Sequence, residues 1–141
     1  DYAHTPDALE NVLKSIRPHT ENRLVCIVGC GGDRDPGKRP IMGGIVNDLA
    51  DLAVITDDNP RSEDPASIRA AMLAAAPDGR EIDGRANAIE WAVNELKEGD
   101  VLVIAGKGHE QGQTVGSEVL PFDDAIEARK AMEKLRGSRI L

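Results

Sequence analysis

Three short apolar runs punctuate a chain that otherwise repeats its hydrophobic residues at helical spacing. Leu24 to Val28 reads LVCIV and ends at Gly29; Ala53 to Thr56 reads AVIT; Val101 to Ala105 reads VLVIA and ends at Gly106. Continuous apolar runs of this length predict strands, and the first two are expected to be buried, because a half-buried strand would alternate. Between them the period is helical. Leu9, Val12, Leu13 and Ile16 follow Pro6 and the pattern stops at Pro18, which predicts a helix over about 6–17 with Thr5 as its N-cap. Further helices are predicted over about 40–51, with Pro40 in the first turn where its missing donor is not needed, and over 65–76, 86–97 and 123–135. A turn at 77–79, a weak strand at 81–83 and a hairpin over 114–120 around Gly116 and Ser117 complete the pattern.

Strands alternating with helices predict the α/β class: a single domain with a mostly parallel sheet flanked by helices. In such sheets ligands bind beyond the carboxyl ends of the strands. The three strongest strands each run into a loop rich in Gly, Arg or acid: GCGGDRDPGKRP from Gly29, TDDNPR from Thr56 and GKGHE from Gly106. If the strands are parallel, these loops share one edge.

Each loop admits a plain reading beside a functional one. In the first, Gly32, Gly37 and Lys38 have P-loop spacing, but Arg39 stands where Ser or Thr would hold magnesium, which argues against a P-loop. Its glycines let the backbone turn tightly and present Arg34; alternatively Arg34 and Arg39 are solvated or pair with Asp33 and Asp35. In the second, Pro60 stiffens the backbone and aims Arg61, while Asp57 or Asp58 either faces a ligand or caps a local turn. The third places Lys107, His109 and Glu110 at a strand end, without the nucleophile elbow or HExxH pattern that would mark hydrolytic or zinc chemistry. Two guanidinium forks, an amide and a carboxylate around one crevice suit a zwitterion: Arg34 and Arg61 can hold carboxylates while Asn59 and Glu110 accept from an ammonium group.

Composition narrows this further. Apolar residues make up 40% of the chain, yet Tyr2, Trp91 and Phe122 are its only aromatics, so the core must be aliphatic. With 25 acidic and 17 basic residues the net charge of -8 opposes binding to a nucleic-acid backbone. No apolar run approaches the roughly 18 residues of a membrane span, and the start lacks a signal-peptide pattern, so a cytoplasmic protein is expected. Cys26 and Cys30 lack the spacing and partners of a zinc site and read as reduced thiols, with Cys26 in a buried strand; no metal ligands are assigned. The missing initiator Met suggests a piece of a longer protein.

DYAHTPDAL, GCGGDRDPGKRP, DDNPR and AGKGHE, in this order and covering nearly the whole chain, resemble the carboxy-terminal domain of the Mur ligases, and within them the UDP-N-acetylmuramoyl-tripeptide synthetases. The resemblance implies a Rossmann-like domain of an ATP- and magnesium-dependent, amide-forming ligase in peptidoglycan synthesis, whose UDP-sugar and central ATPase domains are absent here. The partners it implies are meso-diaminopimelate, ATP and, through the missing domains, UDP-MurNAc-dipeptide. It assigns Arg34, Asp58, Asn59, Pro60, Arg61, Gly106 and Glu110 to diaminopimelate, and Asp1, Tyr2 and His4 to the nucleotide. In the family DNPR accompanies diaminopimelate, and lysine-adding members depart from it at the Arg. The domain alone is expected to catalyse nothing. A free-standing binding module for a small anionic or zwitterionic metabolite is the alternative. A dinucleotide-dependent oxidoreductase is disfavoured, because Arg34 occupies the place of the third glycine of GxGxxG.

Overall fold

The computed structural model describes residues 5–106, 112–115 and 117–140. Strands β1 (Leu24–Val28), β2 (Leu52–Ile55), β3 (Arg80–Glu81) and β4 (Val101–Ile104) form a parallel sheet in the order β3-β2-β1-β4. The α/β expectation is therefore met. Alternation along β1 divides the core into two layers, because successive side chains of a strand leave on opposite faces. Leu24, Cys26 and Val28 join Leu9 and Leu13 of α1 (Pro6–Ile16), Met42 and Val46 of α2 (Lys38–Leu49), and Ile68 and Met72 of α3 (Pro65–Leu73). Val25 and Ile27 meet Ala88, Ile89, Ala92 and Val93 of α4 (Arg85–Glu95) and Ala131 of α5 (Asp124–Ile140). A strand buried on both faces needs apolar residues at every position, which is why LVCIV does not alternate.

The register sets the site. Val28 pairs with Ile55 and Ile27 with Ile104, so the chain leaves β1, β2 and β4 at one edge of the sheet. The chain steps outward from β1 to β2 to β3, then returns to the far side of β1 as β4. That reversal makes the carboxyl ends of β1 and β4 a topological switch point, where a crevice opens. The opposite edge is tied shut by carboxylates. Asp51 accepts from the Leu24 N–H (2.7 Å) and from Arg17 (2.8 Å), and Asp100 accepts from the Arg23 N–H (2.9 Å) and its guanidinium (2.7 Å). These bonds hold the Asp51 and Asp100 carboxyls below the usual carboxylate range: the Leu24 N–H is the largest cause for Asp51 and the Arg23 guanidinium for Asp100.

Thr5 caps α1, its hydroxyl accepting from the Ala8 N–H at 3.2 Å, and a short 3-10 turn (Arg17–His19) follows. Several helix boundaries differ from the sequence expectation: α2 ends at Leu49 rather than Asp51, α4 ends at Glu95 rather than Lys97, α5 runs on to Ile140 rather than stopping at Leu135, and two further shifts have a local cause. Helix α2 starts at Lys38 rather than Pro40, because the Asp35 carboxylate takes the Gly37 N–H (2.9 Å) and the 35–39 turn winds directly into the helix. Pro40 still lies in its first turn. Helix α3 stops at Leu73 rather than Ala76: Pro77 disfavours helical geometry at Ala76, and the alanines before it close as i to i+3 turns. The weak strand falls at Arg80–Glu81 rather than 81–83. The hairpin forms from β5 (Gly112–Val115) and β6 (Glu118–Pro121), paired antiparallel as a separate sheet. Both cysteines are free and Cys26 is buried in its strand, as expected; Cys30 is buried as well. Among the described residues no helix is long and apolar enough to cross a membrane.

Candidate functional site

A cavity of about 470 Å³ opens at the switch point, a volume suited to a small metabolite. Its walls come from all three strand ends. Gly29, Cys30, Gly31, Arg34 and Asp35 follow β1; Lys38 and Met42 come from α2; Asp58, Asn59 and Arg61 follow β2; Gly106 follows β4. Arg34, Asp58, Asn59, Arg61 and Gly106, separated in sequence by up to 72 positions, are thus brought together around one cavity. Pro60 is buried but does not line the cavity. Asp1, Tyr2, His4, Lys107, His109 and Glu110 lie outside the described residues.

The two arginines are presented differently. Arg34 is exposed and gives one hydrogen bond to the Asp33 carbonyl (3.0 Å). Arg61 is half-buried, and its Nη1 donates to the Gly32 carbonyl (2.9 Å) and the Asn59 carbonyl (3.4 Å). Its backbone is left-handed, with φ +51°, as is that of Asp33 at +54°. Such a conformation costs a side-chain-bearing residue of order 1–3 kcal/mol and persists only where surrounding bonds enforce it. Those bonds are present. Asp33 accepts from the Ser62 hydroxyl (2.6 Å) and N–H (3.2 Å), its own N–H donates to Glu63 (2.8 Å), and Arg39 donates to the same Glu63 oxygen (2.8 Å). The Ser62 hydroxyl is the largest cause holding the Asp33 carboxyl below its ordinary range, and Arg39 does the same for Glu63, so both are charged at neutral pH.

Gly32 allows the first two loops to touch. Its N–H donates to the Asn59 carbonyl (2.7 Å), and a Cβ there would overlap the Pro60 carbonyl. Gly32→Ala is expected to push the 58–61 segment away, lowering stability by about 1–3 kcal/mol by overpacking. Thermal melting should show that loss, and the nuclear magnetic resonance signals of Asn59 and Arg61 should move most. Unshifted Asn59 and Arg61 signals would show that the contact between the loops is slack. At the third strand end, Gly106 has φ +112°, a conformation that favours glycine.

Beneath the loops lies a buried ion network. Arg85, fully buried, makes a bidentate pair with Asp124 (Nε and Nη2, both 2.7 Å), while Nη2 also reaches the Ala105 carbonyl (3.0 Å) and Nη1 the Asp57 carbonyl (3.2 Å). Asp57 is itself held by Arg69 (2.6 Å) and the Gly84 N–H (3.0 Å), so it makes long-range bonds rather than capping a local turn. Asp58 is also buried, and its carbonyl accepts from Gln113 of β5 (2.6 Å). The starts of two site loops are therefore fixed from below by one guanidinium.

Cys30, Lys38 and Met42 line the cavity without having been singled out as site residues from the sequence. Lys38 had a signal in its P-loop-like spacing; Met42 follows it by one helical turn. Arg39, read as solvated or paired with Asp33 or Asp35, instead pairs with Glu63 and is buried. Cys30 is no nucleophile: burial first, and then the Asp58 charge, push its thiol up to about 12, and its sulfur lies 3.7 Å from that of Met42. Among the described residues no group of three or more His, Cys, Asp or Glu side chains could hold a metal ion. The walls combine three cations, two carboxylates, an amide and a small sulfur-lined apolar patch. Such a lining suits an amino acid bearing more than one carboxylate on an aliphatic chain.

Comparison with known proteins follows the same line. Residues 1–108 match the family described as Mur ligase, glutamate ligase domain. The chain is 63% identical over 133 residues to the UDP-N-acetylmuramoyl-L-alanyl-D-glutamate–2,6-diaminopimelate ligase of Caulobacter vibrioides, covering 94% of this chain and 27% of that protein. The ligase of the same name from Agrobacterium fabrum is 58% identical over 140 residues, covering 99% and 29%. The chain thus spans less than a third of the length of these relatives. A solved diaminopimelate ligase of that name superposes with a TM-score of 0.91 at 44% identity, over 96% of this chain and 29% of its own. E. coli FolC in complex with ADP superposes at 0.58 with 18% identity, over 100% of this chain and 29% of its own, a likeness of fold alone.

Proposed function

The chain belongs to the Mur ligase family, and from that premise we propose that it is the carboxy-terminal, amino-acid-binding domain of a ligase adding meso-diaminopimelate to UDP-N-acetylmuramoyl-L-alanyl-D-glutamate. The observation that carries this reading is the cavity at the switch point, in which Arg34, Arg61, Asp58 and Asn59 converge. The names of the relatives support the choice of substrate. In the whole enzyme, ATP converts the precursor's terminal carboxylate to an acyl phosphate. The incoming amine attacks its carbonyl carbon, an amide bond forms, the carbon–phosphate oxygen bond breaks, and phosphate and the amine's proton leave.

This domain's share is positioning. Arg34 and Arg61 grip carboxylates through charge-assisted hydrogen bonds, and Asp58 and Asn59 accept from an ammonium group. The aliphatic spacer lies against Cys30 and Met42. Glu110, by the resemblance, accepts from the same amino acid, and Asp1, Tyr2 and His4 meet the nucleotide. The UDP-sugar and central ATPase domains supply the phosphate-binding loop and the magnesium that offsets phosphate charge, so no step here runs through a metal. Closure of those domains over this one brings amine and acyl phosphate together, in the cytoplasm where the nucleotide precursors are made. The domain by itself is not catalytic.

Titration of the labelled domain with meso-diaminopimelate and then L-lysine, followed by nuclear magnetic resonance, tests this. Shifts at Arg34, Asn59, Arg61 and Gly106 with diaminopimelate only are expected. Equal shifts with both ligands would remove the selectivity from the proposal. Shifts with neither, alongside shifts with another small anion, would favour a free-standing metabolite-binding module.

A further inference from the structure

We propose that Asp33 and Glu63 are positioning residues that clamp the loop after β1 to the loop after β2 and so hold the Arg61 guanidinium in place for its ligand. This rests on the amino-acid reading of the cavity. Neither residue lines the cavity, so neither is a binding residue by contact. Each instead bridges the loops. Asp33 takes both the hydroxyl and the N–H of Ser62, the residue directly after Arg61. Glu63, two residues after Arg61, takes the Asp33 N–H and the Arg39 guanidinium through one oxygen, Oε1. Arg39 is itself buried on α2, so the clamp is anchored to a helix of the core.

The two left-handed side-chain-bearing residues among the described residues are Asp33 and Arg61, one on each side of this clamp. Strain at these paired positions is maintained by the bonds between the loops, and it sets the direction in which Arg61 leaves the backbone. The same geometry brings Arg61 Nη1 onto the Gly32 carbonyl, which locks one edge of the guanidinium of a residue that lines the cavity. A guanidinium fixed in this way meets a carboxylate without first losing rotamer freedom. The clamp therefore serves selectivity for a second carboxylate.

Three variants test it: Asp33→Ala/Glu63→Ala, and the milder single changes Ser62→Ala and Glu63→Gln, which keep the core ion pairs untouched or partly satisfied. The first readout needs no ligand. The Gly32 amide donates to Asn59 across the loops and is not itself altered, so its hydrogen exchange reports whether the loops stay together. Exchange at least ten-fold faster in the double variant, with core amides of β1 unchanged, is expected. The second readout is the ratio of affinities for meso-diaminopimelate and L-lysine, expected to fall ten-fold or more in the double variant and by a smaller factor in Ser62→Ala and Glu63→Gln. Unchanged Gly32 exchange, or an unchanged ratio, in a folded double variant would overturn the proposal. If the unmutated chain binds neither ligand while the double variant still frees the Gly32 amide, the amino-acid reading falls and the clamp stands as the device that orders Arg61. Should the double variant fail to fold, the same two readouts on Ser62→Ala and Glu63→Gln decide in the same sense.

Discussion

Arg85→Met is expected to destabilise the domain by about 3–5 kcal/mol, the cost of breaking a buried ion pair by removing one partner. The residue does not touch the cavity, yet three separate groups depend on it. Asp124 would be left at a buried position without its bidentate partner, and the carbonyls of Asp57 and Ala105 would lose their donor. Against a total stability of roughly 5–15 kcal/mol for a domain of this kind, that is a large fraction. A melting point lowered by roughly 10–20 °C should follow. The control is Arg85→Met/Asp124→Leu, which removes both charges and should recover part of the loss, because an apolar pair carries no desolvation penalty. A melting point within a few degrees of the parent for the single variant would mean that the pair contributes little, and that α5 and the two loops are held by packing alone.

The sheet was legible because three continuous apolar runs stand out in a chain with few aromatics: burial on both faces forces this at β1 and over most of β2, while β4 is equally apolar although it lies half-buried at the sheet edge. Their parallel pairing followed from the helices between them, and with it the convergence of the three loops on one edge. What the sequence hid was long-range polar pairing. Nothing in the spacing of Arg85 and Asp124, 39 positions apart, announces a bidentate bond. Asp57 reads locally as a turn former, whereas its carboxylate is spent on Arg69 and on the amide of Gly84. Arg39 is similar: neighbouring Asp33 and Asp35 looked like its partners, but the early start of α2 turns it inward to Glu63. Periodicity carries information about which face is buried, and it carries none about which charge lies opposite which.

The site shows the same division. Arg34, Asn59 and Arg61 could be read as ligand-facing from strand-end position and residue chemistry, and all three line the cavity. Pro60 could not be separated from its neighbours by motif alone. Its carbonyl packs against Gly32, so its role among the described residues is to shape the loop that carries Arg61.

Arg61→Ala should cost meso-diaminopimelate recognition about 2–4 kcal/mol, roughly 30- to 700-fold in affinity, since truncating one partner of a desolvated charge pair leaves the other unpaired. The argument starts from the donors. A guanidinium has five N–H groups, and among the described residues Arg61 gives only Nη1 to the backbone, which leaves Nε and Nη2 to make a fork with a carboxylate. L-Lysine has no second carboxylate to lose, so its weaker binding should hardly change, and the ratio between the two ligands should fall towards one. Arg61→Lys should lie between the parent and Arg61→Ala, because an ammonium group supplies charge without the fork. In the whole ligase the same loss should appear in the concentration of diaminopimelate needed, with the ATP requirement unmoved, if the cavity holds the amine and not the nucleotide as proposed. Equal losses for both substrates, or for both amino acids, would move Arg61 from recognition to general loop structure and leave Arg34 as the remaining fork for a carboxylate.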